Sequence, residues 1–317
     1  MPVLLAPMSG ITDLPFRQTV ARFGAGLLVS EMIAAGEMVT QRPSTRARAR
    51  VAAAPGGLAT AVQMAGREAR AMAEAARLAE GAGAPMIDIN MGCPAKKVVG
   101  GLSGSALMRD LDHALGLIEA VAGAVSVPVT LKMRLGWDAG SLNAPDLARR
   151  AVDAGVRMIT VHGRTRAQFY TGRADWAAIA RVVRAVPVPV IANGDITDAA
   201  GARAALAASG AAGVMVGRGA QGRPWLPAQI GAALAGTPAP ATPAGAALAD
   251  LVATHYDAML GFYGRDLGLR VARKHLGWYI DAAGGAPDLR ARLMRETDPA
   301  AVLAALPEAL TACERAA

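Results

Sequence analysis

The sequence contains little cysteine and no apolar segment suited to a membrane. Two cysteines, Cys93 and Cys313, lie far apart among its 317 residues. This scarcity excludes a disulfide framework and a cysteine-based metal cluster, so we expect a reducing, cytoplasmic location and no metal. No signal peptide is visible before Asp13. The longest uncharged run, residues 224–249, is rich in proline and glycine, so we expect no membrane-spanning helix.

The net charge is positive. Lys and Arg number 33 against 25 Asp and Glu, which gives a formal net charge of +8. The excess lies in the first 239 residues, which would suit a polyanionic partner. An arginine-rich composition can produce the same charge without such a partner, so charge only supports other observations.

Short apolar segments alternate with amphipathic helical patterns in residues 1–236. Strands that alternate with helices pair in parallel, and eight such units favour a closed (β/α)8 TIM barrel. An open doubly wound sheet is the alternative, but eight repeats in this length suit the barrel. The predicted strands begin near Val3, Leu27, Ala59, Met86, Pro128, Met158, Pro189 and Gly213.

The rest of the chain predicts a different architecture. Residues 237–245 contain Pro238, Pro240 and Pro243 and predict a semi-rigid linker. Residues 246–317 predict a small all-α bundle, with helices over 248–262, 267–282, 287–295 and 299–313. Asp298 suits the N-cap of the last helix, and Pro307 is expected to kink or divide it.

Polar or glycine-bearing turns follow most of the predicted strands. Gln63, Lys132 and His162 each have an ordinary structural explanation when taken alone. In a barrel, however, all these strand ends meet at one face, where active sites of this fold lie. Strands that are buried on both sides should be apolar throughout. Eight strand ends with polar or glycine-bearing turns therefore indicate a functional site.

Residues 86–109 begin as a strand and break at Cys93 and Pro94. Pro94 keeps the preceding residue extended, so the Cys93 thiol is presented at a strand end. A glycine-rich segment, residues 100–105, follows and can form a mobile lid. A small buried apolar cysteine at a turn is about as good an explanation of this segment alone.

Residues 217–222 have the pattern G-x-G-x-x-G after a predicted strand. A dinucleotide fingerprint is rejected, because no acidic residue follows at the required distance and no further βαβ unit follows. We favour a phosphate site in which Gly194, Gly217 and Gly219 allow close approach and Arg218 supplies charge. Glycines that only permit tight turns are the alternative.

Arg270, Arg273 and Lys274 share one predicted helical face, and His275 is adjacent. Clustered positive charges suit nucleic-acid phosphate, although a solvated charged face is at least as good an explanation. The same two explanations apply to the arginines after the second strand, namely Arg42, Arg46, Arg48 and Arg50.

Together these motifs resemble the tRNA-dihydrouridine synthases, most closely their DusB-like branch. The resemblance covers almost the whole chain, and N-x-G-C-P at residues 90–94 is its most specific element. Ala167 departs from the pattern, because this branch often carries a second cysteine there. The other matching segments are residues 6–13, Gln63, 95–97, 131–134, 162–165, 192–196, 217–219, Arg270 and 273–275.

The resemblance implies an FMN enzyme that uses NADPH to reduce the C5=C6 bond of uridines in tRNA. Reduced FMN would deliver hydride from N5 to C6, and Cys93 would donate a proton to C5. The uracil would contact Asn90 and Arg134, and the tRNA body would contact Arg270, Arg273, Lys274 and His275. The flavin ring would contact Pro7, Met8, Ser9, Gln63 and Lys132, and its phosphate would contact Asn193, Gly194, Asp195, Gly217 and Arg218. His162 would lie near the flavin or its phosphate.

We expect a monomer. Two rival functions remain open at this point. An FMN barrel reductase of a free pyrimidine or small enone would share the flavin residues but would have no use for a basic helical tail. A non-catalytic RNA-binding barrel would not bind FMN.

Overall fold

The computed structural model describes residues 2–40, 49 and 59–311. The predictions made for Cys313 and for the arginines at 42, 46, 48 and 50 lie outside the described residues.

Eight parallel strands close into a barrel, which confirms the predicted (β/α)8 fold. The first strand pairs with both the second and the last, which closes the ring. Each predicted strand start lies within one residue of the observed start. A further two-residue strand, Ile33–Ala34, lies outside this ring and pairs with the strand Thr60–Ala65. The strands are β1 Val3–Leu5, β2 Leu27–Val29, β3 Ile33–Ala34, β4 Thr60–Ala65, β5 Ile87–Met91, β6 Val129–Arg134, β7 Met158–His162, β8 Val190–Asn193 and β9 Gly213–Val216.

Helices connect the strands and cover the outside of the barrel. Four of them begin after an aspartate, Asp13, Asp110, Asp175 or Asp198, whose carboxylate accepts a backbone N–H of the first turn. Short 3-10 helices also form at Gly104–Arg109 and Arg218–Ala220. The barrel helices are Leu14–Ala21, Ala35–Val39, Ala69–Gly81, Lys96–Gly100, Leu111–Ala122, Ala144–Asp153, Trp176–Val183, Ala199–Ser209 and Leu226–Ala235.

The C-terminal region is helical, as predicted. Its buried core includes Tyr256, Leu276 and Leu306. Pro307 does not divide the last helix, because it lies close to that helix's end and few backbone hydrogen bonds follow it. The linker before this region is held by Gln229, whose Nε2 donates to Pro240 O at 3.1 Å. The four helices are Gly245–Tyr263, Arg265–Ala283, Pro287–Leu293 and Pro299–Ala309.

An aromatic cluster joins the helical region to the barrel. Phe16 of the helix Leu14–Ala21 lies against the rings of His255 and His275, with centroids 5.7 and 5.3 Å away. His275 is 1% exposed, and neither of its ring nitrogens has a hydrogen-bond partner. In this structure the ring of His275 is therefore not accessible for the tRNA contact that the resemblance implies. Helical spacing placed it next to Lys274, but packing turns its ring into the interface.

None of the described helices is long and apolar enough to cross a membrane. Within the same part of the chain, no group of three or more His, Cys, Asp or Glu side chains is arranged to hold a metal ion.

We expect His275→Phe to stabilise the protein, and more so at acidic pH. Burial, with nearby His255 and Lys274, lowers the pKa of His275 well below 6.5. Below pH 6.5 the unfolded chain therefore binds a proton that the folded chain does not. Relative to the variant, the wild type should lose up to about 1.4 kcal/mol of unfolding free energy per pH unit below 6.5. Urea unfolding at pH 5 and pH 8 measures this.

His113→Phe is the matched control because His113 is exposed. The difference that this control makes between the two pH values should be smaller than the difference that His275→Phe makes. A pH-independent effect of His275→Phe would contradict the burial of a neutral imidazole in the interface.

Candidate active site

A cavity of about 750 Å³ opens at the C-terminal end of the barrel strands. Arg270, Arg273, Lys274 and His275 do not line it. Every site residue predicted within the barrel does line it: Pro7, Met8, Ser9, Gln63, Asn90, Cys93, Lys132, Arg134, His162, Asn193, Gly194, Asp195, Gly217 and Arg218.

Strand register explains why these side chains meet. Asn90 on β5 lies opposite Lys132 on β6, and His162 on β7 lies opposite Asn193 on β8. Side chains alternate between the two faces of a strand, so register partners share a face. Cys93 follows Asn90 by one short turn and therefore lies at the same end of the barrel as Lys132.

Lys132, His162 and Asn193 form one hydrogen-bonded group. Asn193 Oδ1 accepts from Lys132 Nζ at 3.1 Å and lies 2.9 Å from His162 Nδ1, while its Nδ2 donates to Met215 O at 2.9 Å. The proton of the neutral imidazole therefore lies on Nδ1. Burial, with Lys132 and Arg134, lowers the pKa of His162 to about 3, so the ring is neutral at physiological pH.

The same buried surroundings also change the pKa of Lys132. Burial, and then the charge of Arg134, lowers the pKa of Lys132 to about 8, although Asp88 opposes this shift. Lys132 thus remains mostly an ammonium at pH 7. The site holds a fixed positive charge whose protonation is more easily changed than that of a surface lysine.

Arg134 ties together the loops that follow β5 and β7. Its Nε donates to Gly92 O, and its Nη1 donates to the carbonyls of Thr165 and Phe169, each at 2.8 Å. The guanidinium carbon lies 5.5 Å from the centre of the Tyr170 ring. Burial lowers the pKa of Arg134 to about 10. Arg134 therefore shapes the cavity wall as well as lining it.

The carboxylate of Asp195 forms an ion pair with a buried arginine, Arg164. Arg164 is 2% exposed and donates to the two carboxylate oxygens of Asp195 at 3.0 and 2.6 Å. Burial would raise the pKa of Asp195, but the hydrogen bonds from Arg164 and from the Ala174 N–H hold it below its ordinary value. A paired, ionised carboxylate would repel a phosphate. The side chain of Asp195 thus orients Arg164, and only its backbone suits the predicted phosphate contact.

The glycines near the predicted phosphate site have different roles. A Cβ on Gly194, whose φ is +118°, would lie 2.7 Å from the Ala174 Cβ, so this turn requires glycine. A Cβ on Gly222 would overlap the backbone carbonyl of Trp278 in the helical tail. Gly222 therefore allows the tail to pack on the barrel, although its pattern suggested a phosphate loop.

Cys93 lies in the cavity wall and is partly exposed. Its backbone N–H donates to Asn90 Oδ1 at 2.9 Å, and its carbonyl accepts from the Ser105 N–H and hydroxyl at 3.1 and 2.8 Å. The glycine-rich segment predicted as a mobile lid is thus attached to Cys93 in this conformation. The partial exposure of Cys93 in the cavity wall favours a thiol presented to a ligand over a buried apolar cysteine.

The sequence interpretation missed several side chains of the site. Phe169, Tyr170 and Arg223 line the cavity, and Arg164 and Asp88 lie behind its wall. Asp88 carried a signal, because a charged residue at an inward position of a buried strand needs a partner. The others lie in loops, where spacing alone does not predict which way a side chain points.

We expect Asp195→Ala to lower the free energy of unfolding by about 3 kcal/mol, because it leaves the Arg164 guanidinium buried without a counter-charge. Asp112→Ala is the matched control. Asp112 pairs with Arg150 at the same 2.6 Å, but its side chain is 93% exposed. Loss of that pair should change stability little. Urea unfolding measures both variants, and equal losses would contradict the role given to burial.

Known proteins are similar to this chain over nearly its whole length. A family model described as Dihydrouridine synthase (Dus) matches residues 4–314. A protein of Rhodobacter capsulatus named "Probable tRNA-dihydrouridine synthase" is 67% identical over 315 residues, which cover 99% of this chain and 96% of the relative. The "tRNA-dihydrouridine synthase B" of Xanthomonas campestris pv. campestris is 46% identical over 302 residues, 95% of this chain and 90% of the relative.

A solved structure, histamine dehydrogenase from Rhizobium sp. 4-9, matches with a TM-score of 0.56 at 12% identity. The match covers 81% of this chain and 48% of that protein, and it shows a shared fold alone. The match of the family model over nearly the whole chain, together with relatives of high identity, shows that this chain belongs to the dihydrouridine synthase family.

Proposed function

We propose that this protein binds FMN and uses NADPH to reduce the C5=C6 bond of specific uridines in tRNA. One observation carries the proposal: Cys93, Lys132, Asn90 and Arg134 line a single cavity at one end of the barrel. The names of the relatives support tRNA as the substrate.

The residues of the cavity fit a flat cofactor with an anionic phosphate. A volume of about 750 Å³ is in the range of cofactor sites. Ala6, Met8 and Met215 supply apolar surface, while Arg218 and Arg223 supply charge at the rim. Pro7, Ser9, Gln63, Lys132 and His162 would hold the ring, and Gly194, Gly217 and Arg218 would hold the phosphate. Bound FMN would supply the hydride for C6 of uracil, with NADPH as the reductant.

Lys132 would stabilise negative charge on the cofactor ring. Asn193 holds the ammonium at 3.1 Å and leaves its other hydrogens for a ligand. A fixed cation in a site that excludes water stabilises an adjacent anion without reorganisation of solvent. Neutral His162 adds no competing charge, and it fixes the orientation of the Asn193 amide.

Cys93 would hold the proton that C5 requires. Its thiol lies beside the cavity, on a backbone that Asn90 and Ser105 hold in place. A positioned acid can deliver a proton to the carbon that gains electron density after hydride addition. Asn90 and Arg134 would bind the polar edge of the uracil, which has to leave the stack of bases in tRNA to enter the cavity.

The helical tail would contribute to tRNA binding mainly through Arg270. Arg270 is exposed, whereas Arg273 is half-buried and its Nη2 lies 3.4 Å from Glu296 O. Lys274 is half-buried, and its Nζ lies 3.2 Å from the position that a Cβ on Gly10 would take. We propose residues 246–317 as the tRNA-binding domain, joined by the linker at 237–245 to a catalytic domain at 1–236. The monomeric state remains a prediction.

Two arginines of the barrel are further candidates for contacts with tRNA phosphates. The guanidinium carbons of Arg109 and Arg166 lie 4.9 and 4.7 Å from the centre of the Trp137 ring. Neither arginine forms an ion pair with a carboxylate in the described ranges. Stacking on the indole orders both guanidinium groups, so their N–H donors, other than the buried Nε of Arg166, would be placed to bind phosphate. The three residues lie in the connections that follow β5, β6 and β7, at the same end of the barrel as the cavity.

We expect Cys93→Ala to retain FMN binding and NADPH oxidation but to lose most uridine reduction, because the cofactor residues remain and the proton donor is removed. Mass-spectrometric mapping of dihydrouridine in tRNA, with and without the protein, measures the reaction.

Wild-type protein that fails to bind FMN would favour a non-catalytic RNA-binding barrel. Reduction of a free pyrimidine but not of tRNA would favour the small-substrate reductase. Unchanged tRNA turnover by the variant would rule out the proton-donor role.

We expect the double change Arg109→Ala and Arg166→Ala to raise the KM for tRNA about tenfold, equivalent to about 1.4 kcal/mol, with little change in kcat. The logarithmic salt dependence of binding should weaken by about one unit per lost phosphate contact. Arg157→Ala is the matched control, because Arg157 is exposed immediately before β7, at the opposite end of the barrel. A similar loss with the control would indicate a general charge effect.

A further inference from the structure

Asp88, Gln63 and Asn90 form a hydrogen-bonded chain inside the barrel. Gln63 Nε2 lies 2.6 Å from Asp88 Oδ2, and Asn90 Nδ2 lies 2.8 Å from Gln63 Oε1. Asn90 Oδ1 in turn accepts from the N–H groups of Gly92 at 3.2 Å and Cys93 at 2.9 Å. The chain thus connects a buried acid to the backbone that carries the Cys93 thiol.

The two ends of the chain fix its direction. The carboxylate of Asp88 only accepts hydrogen bonds, and the backbone N–H groups of Gly92 and Cys93 only donate. An amide side chain has its donor on one side and its acceptor on the other. Gln63 therefore turns Nε2 to the acid, and Asn90 turns Oδ1 to the backbone.

Asp88 has no role as a proton donor to a ligand. It is 3% exposed and does not line the cavity, and its second oxygen lies 2.6 Å from Thr130 Oγ1. Contacts this short are typical of hydrogen bonds to an ionised carboxylate. Burial raises the pKa of Asp88, while the hydrogen bonds from Thr130 and Gln63 and the charge of Lys132 oppose the shift.

We propose that Asp88 is a positioning residue, which acts through Gln63 and Asn90 to hold the backbone of Gly92 and Cys93 at the cavity. The importance of Cys93 rests on the proposed function, but the chain itself does not. Each amide nitrogen keeps a second hydrogen, and both amide residues line the cavity. The chain thereby supplies N–H donors suited to a ligand with ring carbonyl oxygens, such as a pyrimidine or a flavin.

Reversal of the chain tests this proposal. Asn90→Asp places a second hydrogen-bond acceptor beside the Gln63 amide. Because the amide has its donor on one side only, it can then donate to position 88 or to position 90 but not to both. The Tm should fall by roughly 8 °C or more. Adding Asp88→Asn supplies a donor at the far end, so the Gln63 amide can turn round and every hydrogen bond is restored in the opposite direction. The Thr130 hydroxyl can still donate to the remaining oxygen at position 88. We expect the double variant to recover at least half of the lost Tm.

Gln63→Met tests whether the rescue acts through the hydrogen-bonded chain or only through the charge repulsion between positions 88 and 90. In that background, Asp88→Asn should no longer rescue Asn90→Asp, because the amide that connects the two positions is gone. A rescue of the same size there would overturn the proposal. It would also be overturned by a double variant that fails to fold or is no more stable than Asn90→Asp alone.

Hydrogen–deuterium exchange examines the link to Cys93. In the double variant, the amides of Gly92 and Cys93 should exchange as slowly as in the wild type, because an oxygen at position 90 still accepts from both. Exchange tenfold faster would show that position 90 does not hold this loop. Neither measurement requires FMN, NADPH or tRNA. Wild-type protein that does not reduce tRNA, together with retained rescue in the double variant, would therefore count against the proposed function alone.

Discussion

A polar side chain that is buried in the barrel interior has to find a hydrogen-bond partner within the protein, because burial removes it from water. The site depends on this constraint. Gln63 meets Asp88 on the neighbouring strand, and Lys132 on β6 reaches past β7 to Asn193 on β8. These contacts fix the orientation of each amide and the tautomer of His162. The groups that face the cavity are therefore positioned before any ligand arrives.

The side chains that line the cavity carry more positive than negative charge, and this excess indicates which ligands the cavity suits. Lys132, Arg134, Arg218 and Arg223 line the cavity, whereas Asp195 is the one acid among its described lining residues, and Arg164 neutralises it. Arg218 also lies 3.6 Å from Asp195, so one carboxylate is shared by two arginines and the cations outnumber the acids. Such an excess is costly unless an anion binds there. The cavity is thus suited to a ligand with negative charge, which agrees with a flavin phosphate and with the phosphates of tRNA at the rim.

The helical tail is packed on the barrel through specific contacts. Phe16 of the barrel lies against the two buried histidines of the tail, and the Tyr263 hydroxyl donates to Asp13 at 3.0 Å. Gly222 lets the backbone of the tail approach closely. These contacts define where Arg270 lies relative to the cavity. The orientation of a bound tRNA would therefore depend on residues that never touch it.

The sequence by itself determined the order and nearly the exact starts of the strands, because apolar periodicity and turns are local properties. It also identified the cavity residues that lie at or just after the strand ends, since the ends of parallel strands must meet at one face, but it missed lining residues such as Phe169 and Tyr170. Only the tertiary structure decided which side chains contact one another. The pairing of Asp195 with Arg164, the burial of His275 and the chain from Asp88 to Cys93 each join residues distant in sequence. Spacing along the chain carries no information about such contacts, which depend on how helices and loops pack.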